Sequence, residues 1–195
     1  MSSPDQDHLR WLRNDLKISF HNKSVIDFGC GSGSICLQAA QAGAKRVIGI
    51  DLETPEHAEP SLWKYLNLDL NKTDSFQNLG LFDIILGFDI IEHLDSPWQF
   101  LQMCALLLSK EGTLILTTPN TSSWERWFMP KTWSGQRDPQ HKLLFTPYSL
   151  SFLLERSGFL TEKIHAPIRK LGVLSPVCPA WGGQIFCAAK SASVT

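Results

Sequence analysis

The sequence predicts a doubly wound α/β fold: a mostly parallel, seven-stranded sheet with one antiparallel strand near the C-terminus. Three observations predict it. Short apolar runs alternate with amphipathic or small-residue stretches from Ser24 to Gly158, the pattern of strand–helix units that close a parallel sheet. The run Phe82-Asp83-Ile84-Ile85-Leu86-Gly87-Phe88 is apolar almost without a break, as a central strand covered on both faces should be. Two strand candidates, 159–165 and 184–189, follow one another with no helix between them, so one of them reverses direction.

The 195 residues and near-neutral net charge of −1 fit one domain, 1–195, with a full core. No Lys/Arg run is present, so nothing calls for a nucleic-acid backbone as partner. Met1 to Asp7 is polar and acidic, unlike a signal peptide. No apolar run reaches the ~20 residues of a membrane span. The five cysteines are irregularly spaced and include no C-x-x-C pair, which speaks against a zinc–thiolate site or a disulfide framework. Cys36, Cys104 and Cys187 are expected as small core residues. The usage fits a reducing cytoplasm.

The elements follow in order. His8 to Phe20 carries apolar residues at 9, 12 and 16 beside Trp11, which is helical spacing. Residues 1–23 are expected as an N-terminal cap, either covering a ligand site or simply packed on the sheet. Val25, Ile26 and Phe28 form a short buried strand. Gly29, Gly31 and Gly33 follow at once, and Ile35 to Ala40 is helix-prone. Strand, glycine turn and helix bring a backbone close to a nucleotide-like ligand. A dinucleotide fingerprint needs its third glycine at the sixth place, where this chain has Ser34. Asp27, two residues before the first glycine, would repel a pyrophosphate. It suits a ligand with positive charge, such as the sulfonium and ammonium of S-adenosylmethionine (SAM). An NAD-dependent oxidoreductase is disfavoured on the same two residues. Cys30 is expected as a small filler beside the ligand.

Val47 to Asp51 is the second strand, and Asp51 ends it about 20 residues past the glycine turn, where an acid takes ribose hydroxyls. An Asp there also caps the next turn. Leu52 to Pro60 has two prolines and little apolar content, so only a short turn is expected. Trp63 to Leu70 reads as the third strand, with Asp69 placed to accept from an adenine amino group and Leu70 to offer its N–H or pack on the ring. Ser96 and Pro97 start a helix as N-cap and first residue, with Trp98, Leu101, Ala105 and Leu108 as its apolar face. Gly112 to Thr118 is the next strand. Residues 119–146 and 166–183 are expected as substrate-side loops, separated by a helix over 147–156 that Gly158 closes.

Taken together, DFGCGSG, the strand-end Asp51, NLDL, FDIILGFDIIEHL, GTLILTTPN and HKLLFTPYSLSFLLERSGF resemble the motifs of class I SAM-dependent methyltransferases, in order and over nearly the whole chain. The Glu-His-Leu and TPN segments look most like the small-molecule O-methyltransferase branch, which includes ubiquinone-biosynthesis and sugar- or polyketide-modifying enzymes. The resemblance implies a Rossmann-like fold and SAM as cofactor. It implies a cofactor site of Asp27, Gly29, Cys30, Gly31, Gly33, Asp51, Leu52, Asp69, Leu70 and Phe88, and a small-molecule acceptor. The chain departs from the pattern in the missing helix after Asp51 and in the short N-terminal cap.

Methyl transfer from a sulfonium is an in-line displacement, so the protein must align the acceptor and help remove its proton. Residues 89, 92 and 93 share a face if they lie on one helical turn. Asp89, Glu92 and His93 there, joined by His141, would hold a divalent cation such as magnesium. D-x-x-E-H with a later His resembles the E-x-x-E-H metal sites of ubiquinone-pathway O-methyltransferases and of small-RNA terminal ribose methyltransferases. A bound cation would lower the pKa of an acceptor hydroxyl. Without it, His93 serves as general base, with Glu92 and His141 as the other candidate catalytic groups. Asp89 with Glu92 is equally a helix capping box, and His141 equally a loop residue tying a lid to the body. Trp124, Trp127 and Trp133 either clamp a flat acceptor or bury one another. Arg126, Lys131, Arg137 and Lys142 among them invite an acidic acceptor. A metal-dependent RNA ribose methyltransferase and a non-catalytic SAM-binding protein remain as alternatives.

Overall fold

The computed structural model describes residues 4–56, 59–72, 76, 78–167 and 181–192. Seven strands form one sheet: β1 (Ser24–Phe28), β2 (Arg46–Asp51), β3 (Lys64–Asn67), β4 (Phe82–Phe88), β5 (Leu108–Pro119), β6 (Phe159–His165) and β7 (Gln184–Ser191), in the order β3-β2-β1-β4-β5-β7-β6. β1 lies parallel to β2 and β4, and β5 parallel to β4. β7 runs antiparallel to both β5 and β6, so it is the reversed strand. The winding changes direction between β1 and β4, and the crevice at the C-terminal ends of these two strands is where an open α/β sheet binds its ligand. The glycine turn follows β1 and the Asp89–His93 segment follows β4, so the topology sets the two motifs side by side.

The helices are α1 (Pro4–Asn14), α2 (Ser34–Gln41), α3 (Pro97–Leu107), α4 (Trp124–Phe128), α5 (Ser134–Arg137) and α6 (Pro147–Arg156). α1 starts four residues before the expected helix and ends at Asn14, burying His8, Leu9, Trp11 and Leu12. α3 begins as expected, with the Ser96 hydroxyl accepting from the Gln99 N–H and Pro97 at its first turn. Its buried face is Phe100, Leu101, Cys104 and Leu107, while Trp98 is 43% exposed and Leu108 already belongs to β5. The face is rotated because the close-packed sheet takes the bulk of Phe100 beneath β1, edge-on to Phe28 at 5.4 Å. A fully buried side chain of this size contributes about 1.5–3 kcal/mol, so the alignment of α3 is decided by Phe100 and Leu101 rather than by Trp98.

β3 is shorter than the expected 63–70 stretch. Trp63 leaves the sheet to pack beneath the glycine turn, and beyond Asn67 the chain bends so that Asp69 accepts the Asn71 N–H at 3.0 Å. No helix forms over the described residues between Asp51 and Pro60. The 119–146 segment is less loop-like than expected: it holds α4, a 3-10 turn at Pro130–Thr132 and α5. Of the second expected loop, residues 168–180 lie outside the described residues. Cys30, Cys36, Cys104 and Cys187 are buried free thiols.

Candidate active site

The glycine turn is a left-handed corner. Gly29, Gly31 and Gly33 have φ of 72°, 51° and 78°, a region that a side chain makes costly. The corner is held by backbone: the Gly29 and Cys30 N–H groups donate to the Ile50 carbonyl at 2.8 and 3.1 Å, and the Gly33 N–H to the Cys30 carbonyl at 2.9 Å. A Cβ at Gly31 would meet nothing within 4 Å, whereas one at Gly33 would sit 2.6 Å from the Trp63 ring. One side of the turn is therefore open and the other is packed.

Asp51 closes the turn from the neighbouring strand. Its Oδ2 accepts the Gly31 N–H at 2.8 Å, and its Oδ1 the N–H groups of Leu52 and Glu53 at 2.7 and 3.3 Å. The carboxylate is thus pinned at the open side of the corner with lone pairs left for a diol. Leu52 is 64% exposed beside it. Asp69 lies past β3, its carboxyl held below the usual range first by the Asn71 N–H and then by Lys72. Leu70 and Cys30 are buried, as is Asp27, whose Oδ2 lies 3.7 Å from the Cys36 sulfur. Phe88 is buried against α1, its ring stacked on His8 at 4.4 Å. This open corner with its pinned acid fits SAM, which when bound supplies an electrophilic methyl group on a sulfonium.

The second cluster follows β4. Asp89 has φ of 49°, after which Ile91–His93 makes one 3-10 turn. No capping box forms at this turn. Glu92 is completely buried. Its Oε2 accepts the Thr118 hydroxyl at 2.9 Å, while Oε1 is buried with no hydrogen-bond partner. Burial, and secondarily the Asp89 charge, push its carboxyl up to about 8. His141 arrives from the far loop because the Lys142 and Leu143 N–H groups donate to the Glu92 carbonyl at 2.9 and 3.1 Å.

Both histidines are held in one tautomer. A carbonyl only accepts, so His93 Nδ1–H donates to the Gln140 carbonyl at 3.3 Å and His141 Nδ1–H to the Gly135 carbonyl at 3.1 Å. Each Nε2 is left with a lone pair. The rings meet edge-on at 4.7 Å, and His141 Nε2 stands 3.9 Å from Glu92 Oε1. The ligand atoms of Glu92, His93 and His141 all lie within 4.8 Å of one another. Burial, then the neighbouring His141, holds the His93 pKa down, which keeps its ring neutral. A buried unpartnered carboxylate oxygen beside imidazoles whose other nitrogens are anchored to carbonyls is the donor set of a divalent-cation site. The residues fit such an ion.

Asp89 does not join that group. Its Oδ1 accepts from the Thr117 hydroxyl at 3.1 Å and from the Gln184 amide, and its Oδ2 faces His8 Nε2 at 3.8 Å. Its left-handed backbone turns the side chain toward β5, β7 and α1, off the face that carries Glu92 and His93. The second cluster borders a cavity of about 580 Å³, lined by Asp89, Glu92, His93, Arg137, His141 and Gln184 among others. Of the four loop cations, Arg137 lines this cavity and has no hydrogen bond or ion pair among the described residues. Lys142 pairs with Asp95 at 2.6 Å, and Arg126 lies over Trp127 at 5.3 Å. The tryptophans do not act together: Trp133 is buried against Gly135 and seats α5, whereas Trp127 is 72% exposed. Sequence reasoning missed His8, Thr118 and Gln184, and did not single out Arg137 from the other loop cations. The pair of threonines closing an otherwise apolar strand was the available signal for Thr118, since a buried hydroxyl needs a partner.

A family model described as a methyltransferase domain matches residues 6–164. The chain belongs to this family, and it is a class I SAM-dependent methyltransferase. Similar to it is the ubiquinone biosynthesis O-methyltransferase of Bartonella quintana, 27% identical over 179 residues that cover 83% of this chain and 68% of that protein. The protein of the same description from Actinobacillus pleuropneumoniae serotype 7 is 36% identical over 112 residues, covering 50% of this chain and 46% of its own length. The chain thus spans about half to two thirds of such relatives. Among solved structures, a SAM dependent methyltransferase from Archaeoglobus fulgidus aligns with TM-score 0.74 at 20% identity, covering 97% of this chain and 95% of that one. One from Mesorhizobium loti aligns with TM-score 0.69 at 19% identity, covering 93% and 97%. These two likenesses bear on the fold. No helix among the described residues is long and apolar enough to cross a membrane.

Proposed function

We propose that the chain transfers the methyl group of SAM to a hydroxyl of a small-molecule acceptor, with a divalent cation held by Glu92, His93 and His141. The observation that carries the reading is Glu92: a buried carboxylate with one oxygen unpartnered, grouped with the imidazoles of His93 and His141 so that their ligand atoms lie within 4.8 Å of one another at the wall of a cavity. Such a carboxylate is costly unless something positive, or a proton, occupies the gap. An ion there would favour the ionised acceptor oxygen. In its place Glu92 holds a proton at neutral pH, and His93 Nε2 offers a lone pair to an acceptor hydroxyl. The cofactor side is assigned to Asp51 for the ribose, Leu52, Asp69 and Leu70 for the adenine, and the turn from Gly29 to Gly33 for the amino-acid end, with Asp27 and Phe88 beneath it. Residues 119–146 and 166–183 then select the acceptor over a single domain. The O-methyltransferase description of the similar proteins supports a hydroxyl acceptor, and a net charge of −1 gives no basic footprint for RNA. Four buried free thiols suit a reducing compartment such as the cytoplasm.

Calorimetric titration of the EDTA-stripped protein with magnesium, manganese and zinc chlorides tests the cation site directly. Binding of one equivalent of at least one ion, lost in Glu92→Gln and in His141→Ala, is expected. The absence of binding by all three would remove the cation from the proposal. Methylation of a panel of hydroxylated acceptors by SAM, with and without that ion, tests the reaction.

A further inference from the structure

Among the described residues between β2 and β3 there is no helix, and β3 takes hold of the turn instead. The Tyr65 hydroxyl donates to the Asp51 carbonyl at 3.1 Å. The Asn67 side-chain amide donates to the Leu52 carbonyl at 2.6 Å and to the Tyr65 hydroxyl oxygen at 3.2 Å. Residues 65 and 67 point to one face of β3, and in the β2–β3 register Tyr65 stands opposite Gly49 and Asn67 opposite Asp51. The latch therefore grips the two successive peptide groups that carry the Leu52 and Glu53 N–H donors. Those two donors, with the Gly31 N–H, are what orient the Asp51 carboxylate. Below, Trp63 fills the space between Gly33 and Gly49, where a Cβ at either would come within 2.7 Å of its ring. Little else restrains the turn, since Leu52 is 64% exposed and Glu53 is exposed as well.

We infer that Tyr65 and Asn67 are positioning residues for the nucleoside half of the cofactor. They act through the 51–53 backbone to present the Asp51 carboxylate to a vicinal diol and the Leu52 side chain to a purine face. The inference rests on the assignment of Asp51 to the ribose hydroxyls. The energetic logic is preorganisation: a turn already frozen in the binding geometry loses less entropy when the ligand arrives. The device stands in for a helix, of which the described residues between Asp51 and β3 hold none.

The test is calorimetric binding of S-adenosylhomocysteine, and of its 2′,3′-dideoxy analogue, to the full chain and to Tyr65→Phe, Asn67→Ala and Asp51→Asn. Tyr65→Phe keeps the ring and removes only the hydroxyl, so it reports even if Asn67→Ala folds poorly; a thermal melt of each variant checks the fold. Each latch variant is expected to weaken S-adenosylhomocysteine binding by about tenfold, the worth of the one hydrogen bond each makes to the turn, and to weaken analogue binding much less. A merely structural role would move both ligands equally, and that result, or no loss at all, overturns the inference. Asp51→Asn is expected to erase the preference for the diol ligand. If it prefers the diol as strongly as the unaltered chain, the ribose assignment itself has failed and the latch falls with it. If Asp51→Asn loses the preference while both latch variants keep it in full, the latch alone is wrong.

Discussion

Glu92→Gln in the metal-free protein should change the slope of stability with pH, not only its level. Glu92 titrates near 4.5 in an unfolded chain and at about 8 in the fold, chiefly because it is buried and secondarily because Asp89 lies near. A carboxyl whose folded pKa is raised contributes stability that is fully present below 4.5. It is lost progressively as pH rises toward 8, because the folded state binds a proton that the unfolded state has released. Each pH unit in that window costs about 1.4 kcal/mol, so the whole window corresponds to on the order of 5 kcal/mol. Gln has the same shape, still accepts the Thr118 hydroxyl, and cannot ionise. Urea unfolding in EDTA at pH 5, 6, 7, 8 and 9 is the assay. The unaltered chain should lose several kcal/mol relative to Glu92→Gln between pH 5 and 8, and no more above pH 9. Adding a binding cation at pH 8 at a hundred times its dissociation constant should restore about 2.7 kcal/mol to the unaltered chain alone. Parallel pH profiles for the two proteins would refute the reasoning, since they would mean that the Glu92 carboxyl is no harder to ionise in the fold than in water.

Three further outcomes are expected. Gly33→Ala places a Cβ 2.6 Å from the Trp63 ring at φ 78°, so it should lower the unfolding free energy by about 1–3 kcal/mol and weaken SAM binding, measured by urea titration and calorimetry. His93→Ala should stop turnover of any accepted substrate while leaving S-adenosylhomocysteine affinity within about twofold, because no cofactor-side contact runs through that ring; an equal loss of affinity would place His93 in the cofactor site instead. Leu101→Ala removes a fully buried α3 side chain and should cost about 2–5 kcal/mol with little effect on cofactor affinity, whereas Trp98→Ala on the exposed side of the same helix should cost under about 0.5 kcal/mol.

Most of the sheet was legible because its signals are local. A strand that is apolar on both faces and a glycine corner that needs positive φ declare themselves in five to seven residues, and β1, β2, β4 and β5 each did so. The reversed strand was legible for a topological reason: two strands with no crossover helix between them cannot both be parallel neighbours. The errors sit where tertiary packing competes with a local pattern. Trp63 reads as the start of a strand, but the empty volume between Gly33 and Gly49 claims its ring. Trp98 reads as a face residue of α3, but the sheet surface has room for Phe100 and not for both. In the 119–146 stretch the polar and charged residues interspersed with the aromatics hide the short helical turns, one of which Trp133 anchors.

The candidate cluster after β4 was half legible, and Asp89 shows why. Spacing of three and four residues predicts a shared face only if all the residues are helical. Glu92 and His93 are, within a single 3-10 turn, but Asp89 sits just before it with φ of 49°. That one backbone angle sends its carboxylate to Thr117, Gln184 and His8. The consequence is electrostatic: Asp89 stays close enough to raise the Glu92 pKa, while its carboxylate lies outside the group formed by Glu92, His93 and His141. His141 was a candidate only through the resemblance of D-x-x-E-H with a later His, because what brings it in is a pair of backbone donors, Lys142 and Leu143, seeking the Glu92 carbonyl that the short 3-10 turn leaves unpaired. A carbonyl left open at the end of one turn therefore decides which residue from about fifty positions downstream completes the site.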